Sequence, residues 1–149
     1  MKIINIPQLS TELEHVPVQI KDNKIVVNYF EDGVQAGFPS PAEDFKAQKL
    51  SLDEKYLNNP DATFIVRVKG ESMYPTLMVN DLLIVKSDIP LTDNKIAIIS
   101  VNQTEFTVKR FDKNGNTLLA DNPNFENIPI QNDDTILCLG VVKHIIRDV

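Results

Sequence analysis

The sequence predicts a mainly β domain with one short helix, preceded by an extended N-terminal arm. Three observations point there. After Ala62 the apolar residues recur with a period of two or in short continuous runs, not at helical spacing. Asn114-Gly115, between two such runs, is a strong hairpin turn. Only Ser51-Leu52-Asp53-Glu54 carries a clear helix-start signature, with Ser51 placed to cap and Glu54 three residues on.

Taken in order, residues 1–45 read as an arm, because short apolar pieces such as Val18 to Ile20 and Ile25 to Val27 are broken by Pro7, Pro17, Gly33, Pro39 and Pro41. Lys24 to Tyr29 is its one extended candidate, able to pair on a sheet edge or cross to another subunit. Residues 46–149 read as the folded β domain. Its helix should run from about Leu52 to Asn58, where Pro60 stops it. Strands are expected over Thr63 to Lys69, Leu82 to Val85, Ile96 to Val101, Glu105 to Phe111, Thr117 to Ala120 and Thr135 to about Ile146. There is no internal repeat or low-complexity segment.

Bulk properties narrow the function classes. The chain has 149 residues, 42% of them hydrophobic and 24% charged, enough for one domain with a core. A formal net charge of -6 with no basic block argues against a protein that mainly grips phosphate backbone. The single Cys138 cannot make an intramolecular disulfide, and no apolar run is long enough to be a signal or to span a membrane, so a cytoplasmic protein is expected. Cys138, among Ile136, Leu137, Leu139 and Val141, reads as a buried thiol. His15 and His144 have no second ligand at metal spacing, so neither a metal nor a cofactor is expected.

The chemistry centres on Val68 to Val85, where an apolar run ends at Gly70, Ser72 follows, Pro75 breaks the backbone and a second apolar run starts at Leu82. Ser72 is thereby placed on a turn between strands, where a serine can be exposed on a rigid backbone, as a nucleophile requires. An ordinary turn serine fits the same pattern. No His with an orienting carboxylate is evident as its base, so another amine would have to serve. Phe106-Thr107-Val108-Lys109-Arg110-Phe111 offers one: alternation puts Thr107, Lys109 and Phe111 on one face. An unperturbed lysine is neutral in only about one molecule in 2,500 at pH 7, and lowering its pKa to about 7 takes roughly 4.6 kcal/mol. Desolvation among apolar side chains can supply that bias. The alternative is a surface lysine beside Arg110. Similarly, Gln35-Ala36-Gly37-Phe38-Pro39-Ser40-Pro41 is either a plain linker or an extended stretch of the kind a protease accepts.

Together these motifs resemble the LexA/UmuD family of self-cleaving Ser-Lys proteins of the bacterial DNA-damage (SOS) response, and its UmuD branch in particular. Ala36-Gly37-Phe38-Pro39-Ser40-Pro41-Ala42 is similar to the cleavage-site motif, Gly70-Glu71-Ser72-Met73 to the nucleophile motif, and Phe106-Thr107-Val108-Lys109-Arg110 to the base motif. The similarity runs to Leu139-Gly140-Val141-Val142 and covers nearly everything after Gln35.

The resemblance implies a compact, curved β fold in which Ser72 attacks the Ala36 carbonyl, Lys109 takes the hydroxyl proton, and the Ala36-Gly37 bond is cut. The backbone N-H groups of Glu71 and Ser72 would form the oxyanion hole. It further implies a homodimer, stimulation by a RecA filament on single-stranded DNA, and a processed form that joins a UmuC-like Y-family polymerase and contacts the replicative polymerase clamp. No sequence-specific DNA binding and no membrane association are implied. The arm before Ala36 is longer than in the relatives compared. Other readings are a LexA-like or phage-type repressor fragment, for which no helix-turn-helix precedes the cleavage site, and an inert β-rich binding module. A third is a signal-peptidase-like protease, suggested by Ser72-Met73-Tyr74-Pro75-Thr76-Leu77 but lacking that family's glycine-aspartate-asparagine-arginine signature and any membrane anchor.

Overall fold

Alternating side chains in the second half of the chain pack into one antiparallel sheet. A computed structural model describes residues 8–17, 24–29 and 48–149. By internal contact the chain forms two units, residues 1–18 with 59–149, and residues 19–58. In the larger unit the strands are β1 (Leu13–Val16), β4 (Thr63–Val68), β5 (Leu82–Lys86), β6 (Ile96–Val101), β7 (Thr107–Asp112), β8 (Thr117–Leu119), β9 (Ile128–Pro129) and β10 (Ile136–Ile146). Their order across the eight-stranded sheet is β1-β4-β5-β10-β6-β7-β8-β9.

The sheet is strongly curled. Leu9, just ahead of the edge strand β1, makes a parallel bridge to Phe106 at the start of β7, although β7 lies five places away in the strand order. Curling follows from the right-handed twist of strands and from local bulges. Two register shifts bend β10, between Cys138 and Gly140 against β6 and between Val142 and His144 against β5. Gly140 allows the closest approach, since a Cβ there would stand 2.7 Å from Val85 Cγ1 and 3.0 Å from the Lys86 carbonyl oxygen. The concave face buries Val66, Leu83, Val85 and Ile98 completely, together with Leu13, Val68, Met73, Leu77 and Val108. Each such side chain contributes about 2 kcal/mol of apolar burial.

The six predicted strands are present with boundaries shifted by a residue or two. Three further strands escaped the pattern because they are short. β1 lies within the stretch that reads as an arm, and only its Leu13 is buried. Cys138 is exposed and not buried, because the bulge next to it breaks the alternation on which its placement rested. Val141 belongs to the core, whereas Ile145 is exposed.

In the smaller unit, β2 (Val27–Tyr29) pairs with β3 (Gln48–Leu50), which gives part of the extended Lys24 to Tyr29 stretch its partner strand. Helix α1 (Leu52–Tyr56) begins as predicted, with Ser51 Oγ accepting from the Glu54 N-H. The Glu54 side chain meets Lys24 at 3.1 Å. The helix stops before Asn58 because Leu57 leaves helical geometry, and Asn59 follows with φ 57°.

Candidate active site

Ser72 and Lys109, 37 residues apart, come together. Ser72 opens a tight turn between β4 and β5, in which the Tyr74 N-H donates to the Glu71 carbonyl at 3.1 Å and the Leu77 N-H to the Met73 carbonyl at 2.9 Å. Met73 and Leu77, four residues apart on that turn, are 2% and 0% exposed. Both anchor it in the core, so Ser72 is held from beneath. Lys109 lies on β7 with Thr107 beside it on the same face, as alternation predicts. Its Nζ donates to Ser72 Oγ and to Thr107 Oγ1, each at 3.0 Å, and to the Val108 carbonyl at 3.1 Å.

Two features differ from the sequence reading. Ser72 is buried at 2% exposure instead of open, and the Lys109 amine sits among oxygens instead of apolar groups. One of those oxygens belongs to Glu12, which the sequence reading did not single out. Glu12 Oε2 lies 3.2 Å from Lys109 Nζ and accepts from Thr107 Oγ1 at 2.6 Å. Burial disfavours the Glu12 carboxylate, but hydrogen bonds from Thr107 and Ser72 and the Lys109 charge outweigh it, holding the carboxyl below its usual range. In this arrangement Ser72 Oγ accepts a hydrogen bond from Lys109 Nζ. A serine about to attack must instead give its proton to the amine.

Asn122 also escaped the sequence reading. It is 8% exposed, its Nδ2 donates to the Glu71 carbonyl at 2.9 Å, and its backbone N-H donates to the Ser72 carbonyl at 3.0 Å. A trans peptide is planar, with C=O and N-H pointing opposite ways. Fixing the Glu71 carbonyl therefore fixes the direction of the Ser72 N-H, one of the two oxyanion donors expected from the resemblance. The loop holding Asn122 is itself tied down by Asp121. That carboxylate receives Arg110 Nε at 2.8 Å, Arg110 Nη2 at 2.6 Å and Thr76 Oγ1 at 2.6 Å. The Arg110 hydrogen bonds hold Asp121 below the usual carboxylate range against the opposing effect of burial.

The expected cleavage residues Ala36 and Gly37 lie outside the described residues. His15 lies on β1 and His144 on β10, and among the described residues no cluster of three or more His, Cys, Asp or Glu could hold a metal ion. Among the described residues no helix is long and apolar enough to cross a membrane.

A family model described as Peptidase S24-like matches residues 18–143. The chain belongs to that serine-peptidase family. Within it the chain is a UmuD-like member of the LexA/UmuD group. It is 38% identical over 130 residues to Protein ImpA of Salmonella typhimurium, a match covering 85% of this chain and 87% of that protein. Protein SamA of Salmonella typhimurium (strain LT2) is 36% identical over 121 residues, 79% of this chain and 83% of that protein. The LexA repressor of Providencia rettgeri is 34% identical over 119 residues, covering 74% of this chain and 57% of the repressor.

Proposed function

We propose that this chain is an autoprotease of the SOS mutagenesis response that cuts its own Ala36-Gly37 bond with a Ser72-Lys109 dyad. The observation that carries the reading is the 3.0 Å contact between Lys109 Nζ and Ser72 Oγ in a buried site. In the first step Ser72 Oγ bonds to the Ala36 carbonyl carbon, its proton passes to a neutral Lys109, and the carbonyl electrons collect on oxygen. The N-H groups of Glu71 and Ser72 receive that oxyanion. Collapse breaks the bond to the Gly37 nitrogen, which takes the proton back from Lys109. Water then releases the acyl group from Ser72, with Lys109 again accepting a proton.

Keeping enzyme and substrate in one assembly gives a high effective concentration, so cutting must be restrained until signalled. In this reading the signal is a RecA filament on single-stranded DNA, and the processed cytoplasmic homodimer serves a UmuC-like translesion polymerase and the replicative clamp. The exposed apolar side chains of Leu137, Ile145 and Ile146 on β10 support self-association. Incubation with RecA, single-stranded DNA and ATP, followed by intact-protein mass measurement, tests the reading. Two pieces separated between Ala36 and Gly37 are expected, and a chain left whole under these conditions counts against it.

A further inference from the structure

Residues 8–16 are held in the larger unit the way a bound peptide is held. On one side the Ser10 N-H donates to the Phe106 carbonyl at 2.9 Å, and the Phe106 N-H donates to the Gln8 carbonyl at 3.2 Å. On the other the Lys69 N-H donates to the Glu12 carbonyl at 2.6 Å, and β1 then pairs with β4 from Leu13 opposite Val68 to Val16 opposite Ile65. Side chains divide the remaining tasks. Leu13 is 6% exposed within the core and Leu9 packs against it. Glu14 pairs outside with Arg67 and Lys69, each at 3.4 Å. Glu12 lies across Gly70, where a Cβ would come within 2.7 Å of Glu12 Cγ, and its carboxylate ends on Lys109. Main-chain bonds along an edge, with successive side chains in separate sites, are the hallmarks of strand addition.

We propose that the groove between the β4 edge, Gly70 and Phe106 is a strand-binding site whose ligand is the chain's own residues 8–16, with Glu12 as the side chain that blocks the dyad. The blocking part rests on the Ser-Lys reading above. While Glu12 is seated, Lys109 Nζ is surrounded by four acceptors, Glu12 Oε2, Ser72 Oγ, Thr107 Oγ1 and the Val108 carbonyl oxygen, and the carboxylate competes with Ser72 for it. Lys109 is then not free to take the Ser72 proton as cutting needs. The hydrogen bonds described above join residues 8–16 to β4, Lys69, Phe106, Thr107 and Lys109 and not to residues 17–36, so a cut at Ala36-Gly37 breaks none of them. The severed piece therefore stays docked as a separate ligand, and scission and exposure of the groove are two events.

Two measurements on the full chain test this. In the first, a site-specific protease sequence is placed within residues 30–45 of a Ser72→Ala chain, and the cut protein is run on native size exclusion. The front piece should elute with the remainder, and should be lost at least tenfold more readily when Leu13→Ala or Glu12→Ala is added. A front piece that elutes alone without either change overturns the groove, whatever the dyad does. In the second, Ser72 is titrated with a fluorophosphonate, whose phosphorus bonds to Oγ as fluoride leaves. Glu12→Ala should speed labelling at neutral pH at least tenfold over the unaltered chain. Equal rates overturn the blocking role. No labelling of either chain, even at alkaline pH, overturns the Ser-Lys reading and the blocking role with it, while size exclusion still decides the groove.

Discussion

Asn122 grips the turn at Ser72 twice, through its side chain on the Glu71 carbonyl and through its own N-H on the Ser72 carbonyl. Substitution Asn122→Ala keeps the second bond and loses the first. Since removing a direct oxyanion donor costs about 10²- to 10³-fold, loss of the group that aims one should slow self-cleavage by about 10-fold or more. Stability should fall by only about 1 kcal/mol, because the Tyr74 N-H still satisfies the Glu71 carbonyl. Cleavage rate constants and urea midpoints of the same samples separate the two effects.

The Glu12-Lys109 pair, with side chains 21% and 7% exposed, should be strongly coupled. Removing Lys109 alone leaves a partly buried carboxylate without its cation, and removing Glu12 alone leaves Lys109 Nζ with neutral partners only. A double-mutant cycle with Glu12→Gln and Lys109→Met, read by chemical denaturation, should return a coupling of about 1–3 kcal/mol. Additive changes would mean that the two groups do not interact in solution.

Gly70→Ala should destabilise the protein by about 1–3 kcal/mol, since its Cβ would collide with Glu12 Cγ. In a Glu12→Ala background, where the colliding atom is gone, the same Gly70→Ala change should cost much less. Melting temperatures of the three variants provide the check.

Acid should weaken the fold through three carboxylates. Asp81 is held below its usual range chiefly by hydrogen bonds from Arg147, Asp121 chiefly by those from Arg110, and Glu12 by its hydrogen bonds and the Lys109 charge. A folded-state pKa below the unfolded one means that the unfolded chain takes up the proton first. The stabilisation is therefore present above the unfolded values, about 4, and is lost as pH falls through the lower folded values. Urea midpoints should fall between pH 5 and pH 3, and Asp121→Asn should be less stable at pH 7 by about 2 kcal/mol yet fall less steeply with acid.

What could be read from the sequence was local. Alternation over seven residues revealed β4 and β7, an almost wholly apolar run revealed β6, the Asn-Gly turn marked the β7–β8 hairpin, and Ser51 with Glu54 marked the start of α1. β1 was hidden because a four-residue edge strand with one buried side chain leaves too short a pattern. Ser72 and Lys109 were legible through motifs that resemble a family, and the structure brings those two residues into contact. Glu12 and Asn122 were not, because each reaches the site by a polar contact across 97 and 51 residues of chain respectively, and such contacts leave no periodic trace.

The claim on which the rest depends is that one amine and one hydroxyl cut the chain. Intact mass after incubation at pH about 10, where an ammonium loses its proton, tests it most directly. The account predicts two fragments divided between Ala36 and Gly37, formed faster than at pH 7 and absent from both Ser72→Ala and Lys109→Ala. Fragments that persist in either variant, or an unaltered chain that stays whole at both pH values, would contradict it.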